Sequence, residues 1–152
     1  MKFSFPAYLI LLTSTLATSA ASKTQAAEFK SAGANPAILY NAPSERGRKV
    51  FIAPRGMPVE IILTQNSWTK VRDVAGDLSW IDTSALAAKR NVIASSGNLK
   101  LHTTAEENAA VVATIDKGVL LELLAPPAAG LVKLKHRDGA TGFAKSAEVW
   151  GE

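Results

Sequence analysis

The feature that most constrains this chain is an internal repeat. The segment RGMPVEIIL (55–63) aligns with KGVLLELLA (117–125) at an offset of 62 residues. Downstream, WTKVRDVAGDLSWIDTSAL (68–86) aligns with LVKLKHRDGATGFAKSAEV (131–149) at an offset of 63 residues. The one-residue shift falls in APPAAG (125–130), where a loop can absorb it. The repeat predicts two copies of one small structural unit.

Each copy is typical of short β-strands separated by turns. WTKVR (68–72) and LVKLK (131–135) alternate in the strand period of two, and Gly76 and the RDG of 137–139 indicate tight hairpin turns. No part of residues 22–152 keeps a helical period over three turns. About five strands in roughly 60 residues predict an all-β chain of two small barrels. Because one such barrel buries little surface, the copies are expected to lean on each other.

The N-terminus has the layout of a secretory signal peptide. A short basic start precedes an apolar run from Phe3 to Leu12, and small residues follow it. We predict cleavage after Ala21, with Ala20 and Ala26 as alternative sites and an uncleaved membrane anchor as the competing interpretation. The apolar run is short for a membrane span, which needs about 20 residues. The expected organisation is a signal peptide (1–21) followed by a flexible N-terminal segment (22–35).

The chain contains no cysteine, which excludes disulfides, thiol nucleophiles, cysteine-ligated zinc and a lipid-anchored cysteine. We therefore expect a periplasmic or secreted protein with no stable membrane anchor after cleavage. The net charge is +4. A mildly basic exported protein is expected to meet anionic envelope surfaces rather than nucleic acid.

Strand alternation predicts which side chains of each copy face the core. In 68–72, Thr69 and Val71 share one face, opposite Trp68, Lys70 and Arg72. The β-branched pair belongs inside, so Trp68 is expected outside, beside two cations. By the same reasoning Ile81 is a core residue and Trp80 faces away from it.

The first copy also resembles a known family. RGMPVEII (55–62) and WTKVRDVAGDLSWI (68–81), after a proline behind the first strand and before a closing leucine, look like a bacterial SH3-like domain. The second copy is the weaker match, because Leu131 stands where the first copy has its first tryptophan and Phe143-Ala144 replaces Trp-Ile. Two copies behind a signal peptide resemble small exported proteins with tandem domains of this kind.

The resemblance implies two five-stranded SH3-like β-barrels, at 36–87 and 88–152, with a non-catalytic binding role. Members of the family often bind cell-wall peptide or protein, so the expected partner is a peptidoglycan peptide or an envelope protein. The rival interpretation is a structural scaffold in the cell envelope that uses both domains as one unit. The oligomeric state is left open.

The predicted binding site is an aromatic groove in the first copy, flanked by cations. The resemblance implies that Trp68 is a platform for a ligand, and coverage of Trp68 by a neighbouring loop is the alternative. Trp80 is expected to be partly buried as a packing residue, and Tyr40 would complete the trio. Cations of the loop 43–49 would attract an anionic or carboxylate-bearing ligand. The predicted ligand-binding set is Tyr40, Trp68, Trp80, Arg46, Arg48, Lys49, Lys70 and Arg72.

The other groups of polar residues in the sequence predict neither a catalytic site nor a metal site. HRD (136–138) has the letters of a kinase catalytic loop but lies at a hairpin turn with no nucleotide motif around it. His102 and His136 are the only histidines and lack metal-ligand spacing. The sequence therefore predicts no enzyme, no cofactor and no metal site.

Overall fold

A computed structural model describes residues 26–33, 35–106 and 108–152. The predicted signal peptide lies outside the described residues. The all-β prediction is confirmed, because the described residues form two antiparallel sheets and two helices of only three residues each. None of the described helices is long and apolar enough to cross a membrane.

The first sheet contains seven strands, in the order β3-β2-β6-β5-β4-β1-β7. Its strands are β1 (Glu28–Ala32), β2 (Ala37–Tyr40), β3 (Lys49–Ala53), β4 (Pro58–Gln65), β5 (Trp68–Arg72), β6 (Leu78–Asp82) and β7 (Leu86–Ala87), with a 3-10 helix at Thr83–Ala85. We call residues 28–87 the first unit.

The second sheet has the same strand order, β10-β9-β13-β12-β11-β8-β14. Its strands are β8 (Asn91–Ala94), β9 (Leu99–His102), β10 (Val111–Ile115), β11 (Leu120–Leu123), β12 (Leu131–Lys135), β13 (Thr141–Lys145) and β14 (Val149–Trp150), with a 3-10 helix at Ser146–Glu148. We call residues 91–150 the second unit. The repeat in the sequence is therefore a repeat in topology.

Two expectations need correction. Each sheet has seven strands rather than five. The predicted flexible segment 22–35 contains β1, which pairs with both β4 and β7. The strand was missed because Phe29 is its one large apolar residue, so its sequence has no clear alternation. It becomes a strand because two neighbours supply its backbone hydrogen bonds.

Equivalent residues of the two units make equivalent backbone contacts. The amide of Gly56 donates to Ala32 O at 3.0 Å, and that of Gly118 donates to Ala94 O at 2.8 Å. Both glycines have positive φ, +81° and +85°, as the turn before β4 or β11 requires. The predicted hairpin turns at Gly76 and at 137–139 are confirmed as the β5–β6 and β12–β13 connections.

Each unit has its own apolar core, built from the predicted alternation. Val59 and Val71 in the first unit, like Leu121 and Leu134 in the second, are at most 1% exposed. Ile61 and its counterpart Leu123 are partly buried, and each packs against the apolar core of its own unit.

The two units also contact each other, mainly through β1 and the start of β8. The side-chain amide of Asn91 donates to Ser31 Oγ at 3.2 Å and to Gly56 O at 3.1 Å. Both Asn91 and Ser31 are buried, so these bonds satisfy polar groups that would otherwise be costly to bury.

An aromatic contact extends this junction. The ring of Phe29 meets that of Trp150 edge to face at a centroid distance of 5.1 Å. The guanidinium of Arg90 lies 5.9 Å from the Phe29 ring centroid and donates to Gly151 O at 3.0 Å. The expectation that the two copies lean on each other agrees with these contacts.

We predict that Val71→Asp unfolds the first unit, because an unpaired carboxylate in its core costs several kcal/mol, on the order of 3 or more. Thermal and urea unfolding followed by tryptophan fluorescence will measure the loss. The matched control is Val50→Asp, since Val50 is 42% exposed in the same unit. Equal stability of the two variants would contradict the assigned core.

The paired glycines give a test of the junction. A Cβ on Gly56 would lie 3.0 Å from Leu120 Cδ2 and 3.1 Å from Asn91 Nδ2, whereas one on Gly118 would meet no heavy atom within 4 Å. Both alanine variants carry the strain of positive φ, about 1 kcal/mol. Only Gly56→Ala also disturbs the second unit, so we predict that it lowers the free energy of unfolding more than Gly118→Ala does. Adding Leu120→Ala should reduce the difference; equal losses from the two glycine variants would contradict this packing.

Candidate functional site

Strand β5 presents the predicted binding residues on its outer face. Thr69 and Val71 are buried, whereas Trp68 and Lys70 are half-buried and Arg72 is exposed. The predicted orientation of Trp68 is therefore confirmed. Buried Thr69 is satisfied by a 2.8 Å hydrogen bond between its hydroxyl and that of Thr83.

Sheet register then aligns four of the predicted residues in one row. Tyr40 lies opposite Lys49 on one side and opposite Trp80 on the other, and Trp80 lies opposite Lys70. Residues directly opposite each other in antiparallel strands project from the same face. The row across β3, β2, β6 and β5 is therefore Lys49, Tyr40, Trp80 and Lys70, with an aromatic pair between two cations.

Trp68 joins this row through Tyr40. The two rings meet edge to face, with centroids 5.3 Å apart and planes at 89°. Tyr40 is 8% exposed, whereas Trp68 keeps partial exposure. The buried Tyr40 ring thus packs against Trp68, whose indole stays partly exposed to solvent. We call Tyr40, Trp68 and Trp80, with Lys70, the aromatic face.

Lys70 and Trp80 form a cation–π contact on this face. The ammonium of Lys70 lies 5.9 Å from the Trp80 ring centroid. Trp80 is half-buried, as expected for a packing residue, while its neighbour Ile81 is fully buried. Lys70 therefore provides a positive charge held close to the aromatic side chains.

Asp82 borders the aromatic face opposite Trp68. The hydroxyl and backbone amide of Ser84 donate to Asp82 Oδ1 at 2.6 and 2.8 Å. These bonds, the hydroxyl first, hold the pKa of Asp82 below its usual value, although slight burial opposes them. Asp82 therefore stays ionised and is occupied in capping the 3-10 helix at Thr83–Ala85, which fixes the end of β6.

The remaining predicted cations have different surroundings. Arg72 Nη1 lies 3.1 Å from Glu60 Oε2 in the facing strand, so its charge is already paired. Arg46 and Arg48 are exposed in the 41–48 loop. That loop is ordered by local bonds, because the Arg48 amide donates to Asn41 Oδ1 at 2.8 Å and the Arg46 amide to Ser44 Oγ at 3.1 Å.

The second unit has a counterpart of the aromatic face that the sequence did not predict as a site. Phe143 lies opposite His102 and Lys133, and Lys133 Nζ is 5.6 Å from the Phe143 ring centroid. A cleft of about 210 Å³ lies here, lined in part by His102, Leu131 and Phe143. The internal repeat indicated this counterpart, because His102, Leu131 and Phe143 align with Tyr40, Trp68 and Trp80.

His102 is held in one tautomer. Its Nδ1 lies 2.9 Å from Ala109 O. A carbonyl only accepts hydrogen bonds, so Nδ1 carries the proton and Nε2 is left as an acceptor in the neutral ring. This side of the second unit thus differs in chemistry from the first, where a tyrosine occupies the matching position.

The HRD sequence is a turn, as predicted. His136 Nδ1 lies 2.9 Å from Asp138 Oδ1, and Asp138 accepts the Ala140 amide at 2.9 Å. The Ala140 amide, followed by His136, lowers the pKa of Asp138. Among residues 26–33, 35–106 and 108–152, no three His, Asp or Glu side chains are grouped as metal ligands.

The solved structures similar to this chain include two proteins from Trichomonas vaginalis. The structure titled "Structure of NlpC1" is 16% identical, with 97% of this chain and 52% of that chain covered and a TM-score of 0.39. That of NlpC2 is 12% identical, with 84% and 49% covered and a TM-score of 0.39. The chain spans about half the length of each.

Comparison with curated proteins gave no match. Comparison with family models gave a match in the first unit, over residues 33–87, to the family described as "Bacterial SH3 domain". The matched segment runs from the turn after β1 to the end of β7 and contains the whole aromatic face. This part of the chain is a bacterial SH3 domain.

Proposed function

We propose that the chain is an exported binding protein whose first unit recognises a cell-wall (peptidoglycan) peptide or an envelope protein. The observation that carries the proposal is the aromatic face, where Tyr40, Trp68 and Trp80 meet beside Lys70. Bacterial SH3 domains are typically non-catalytic binding modules, and the family match to residues 33–87 supports this role.

The chemistry of the face favours a peptide that carries a carboxylate. Partly exposed indole rings offer apolar surface to small side chains and to the peptide backbone. Lys70 and Lys49 lie at either end of the row and supply charges for a carboxylate. Arg72 is paired with Glu60, so its contribution would need that ion pair to open.

A second candidate function is supported by the junction between the units. The bonds of Asn91 to Ser31 and Gly56 join the units through buried polar groups, and the partly buried rings of Phe29 and Trp150 add an aromatic contact. A scaffold in the envelope would present both units to a partner as one body. Loss of partner capture in Gly56→Ala, with Trp68→Ala unaffected, would favour the scaffold over the aromatic face.

Export is part of the proposal. It rests on the basic start, the apolar run and the small residues of 1–21. We predict that mass spectrometry of the protein from its native host shows a mature N-terminus between residues 21 and 28. Recovery of the full-length chain from the soluble cytoplasm would contradict export.

We predict that Trp68→Ala weakens ligand binding by about 2 kcal/mol, the loss typical of an anchor aromatic. Capture on isolated peptidoglycan, run beside capture from envelope extract, first identifies the ligand; titration of each variant with that ligand then gives the affinities. Thermal stability should change little, because Trp68 is partly exposed and lies outside the core.

The matched control for this experiment is Leu131→Ala, the same substitution at the aligned position of the second unit. It should leave binding to the captured ligand nearly unchanged. Equal losses from the two variants, or normal binding by Trp68→Ala, would show that the aromatic face is not the site.

A further inference from the structure

Two clefts adjoin at the junction between the units. One, of about 450 Å³, includes Arg55, Gly56 and Ala87 of the first unit in its lining. The other, of about 310 Å³, is lined mainly by β11 and the end of β12. They share Lys89, Asn91 and Leu120, so they form one crevice along the junction. This junction crevice lies apart from the aromatic face, and none of the residues of that face lines it.

The crevice is lined by four cationic side chains and one carboxylate. The cations are Arg55, Lys89, Lys135 and Arg137, and the carboxylate is Glu122. All four cationic residues are exposed. Concentrating cations in a concave surface raises the local positive potential, which attracts anions.

The single carboxylate is already neutralised. Lys89 Nζ lies 2.9 Å from Glu122 Oε2. In the described part of the chain, Arg55, Lys135 and Arg137 have no carboxylate within the 4.0 Å of an ion pair. Three cations of the crevice are therefore available to an anionic ligand, without first breaking an internal pair.

Backbone geometry fixes the relative positions of these cations. Lys135 lies opposite Glu122, which in turn lies opposite Asn91, so two strand spacings, roughly 10 Å, separate Lys135 from Asn91. Arg55 of the first unit also lies near Asn91, because the carbonyl of the next residue, Gly56, accepts a hydrogen bond from the side-chain amide of Asn91 at 3.1 Å. Asn91 thus connects the cations of the first unit with those of the second.

We propose that the junction crevice binds an extended chain of phosphate groups, as in a phosphate-bearing polymer of the cell envelope. The cations are spread along two adjoining clefts and come from both units, which suits a chain better than a single small anion. Arginine and lysine are the usual partners of phosphate oxygens.

The residues that line the junction crevice also favour a phosphate chain over a nucleic acid. Proteins that bind single-stranded nucleic acid combine cations with aromatic side chains on which the bases stack. The crevice contributes Leu120 and Leu121 instead, and His136 is its one ring.

The test uses linear polyphosphate as the probe and the mature full chain as the protein. Binding is measured by titration at about 50 and about 200 mM salt, where contacts to several phosphates predict a marked loss of affinity as salt rises. The triple variant Arg55→Gln, Lys135→Gln, Arg137→Gln should weaken binding at least about tenfold. Inorganic phosphate should bind to the protein far more weakly than linear polyphosphate does.

Two controls separate the crevice from general charge and from the aromatic face. The triple variant Lys100→Gln, Lys117→Gln, Lys145→Gln removes the same charge from exposed positions outside the crevice and should keep most of the affinity. Trp68→Ala should bind polyphosphate as the unmodified chain does, so this result is independent of the proposed peptide site.

Three outcomes of the polyphosphate titrations would overturn the proposal. These are no measurable binding at low salt, equal losses from the two triple variants, and a crevice variant that binds normally. Markedly tighter binding of single-stranded DNA than of polyphosphate of equal charge would assign the crevice to nucleic acid instead. Circular dichroism of each variant confirms that a loss of affinity reflects the crevice and not unfolding.

Discussion

The strict alternation of side chains in the central strands is the constraint on which the other features depend. In β5, burial of Thr69 and Val71 in the core leaves Trp68 and Lys70 no position except the outer face. Because core burial supplies most of the free energy of folding, the outer residues are placed without contributing much to it. The unit can therefore carry partly exposed tryptophans on its outer face while its stability comes from the opposite face.

The two units share one topology but differ where they meet each other. Phe29 of β1 aligns with Asn91 of β8, and Ala87 of β7 with Trp150 of β14. The aromatic residues Phe29 and Trp150 come from opposite units and meet edge to face. The exchange of large and small residues between the copies makes the junction a specific fit, which two identical copies could not make in this way.

The charges of the chain are divided between two surfaces with different character. On the aromatic face, Lys70 lies against the Trp80 ring, so its charge is presented together with apolar surface. In the junction crevice, Lys135 and Arg137 stand beside aliphatic residues, where charge alone provides the attraction. The first arrangement suits a peptide with a carboxylate, and the second suits a polyanion, so the two proposed ligands differ in chemistry.

The sequence by itself determined the all-β class, the repeat, the core positions and the outward direction of Trp68, because strand alternation and turn residues are local properties. It also predicted that Tyr40, Trp68 and Trp80 form an aromatic trio, and the family resemblance implied the platform role of Trp68. Tertiary structure alone decided that Glu28–Ala32 is a strand, that Glu60 pairs with Arg72, and that the junction gathers cations from both units. These features depend on contacts between residues far apart in the chain, and no local pattern records which distant strand will supply a hydrogen bond or a charge.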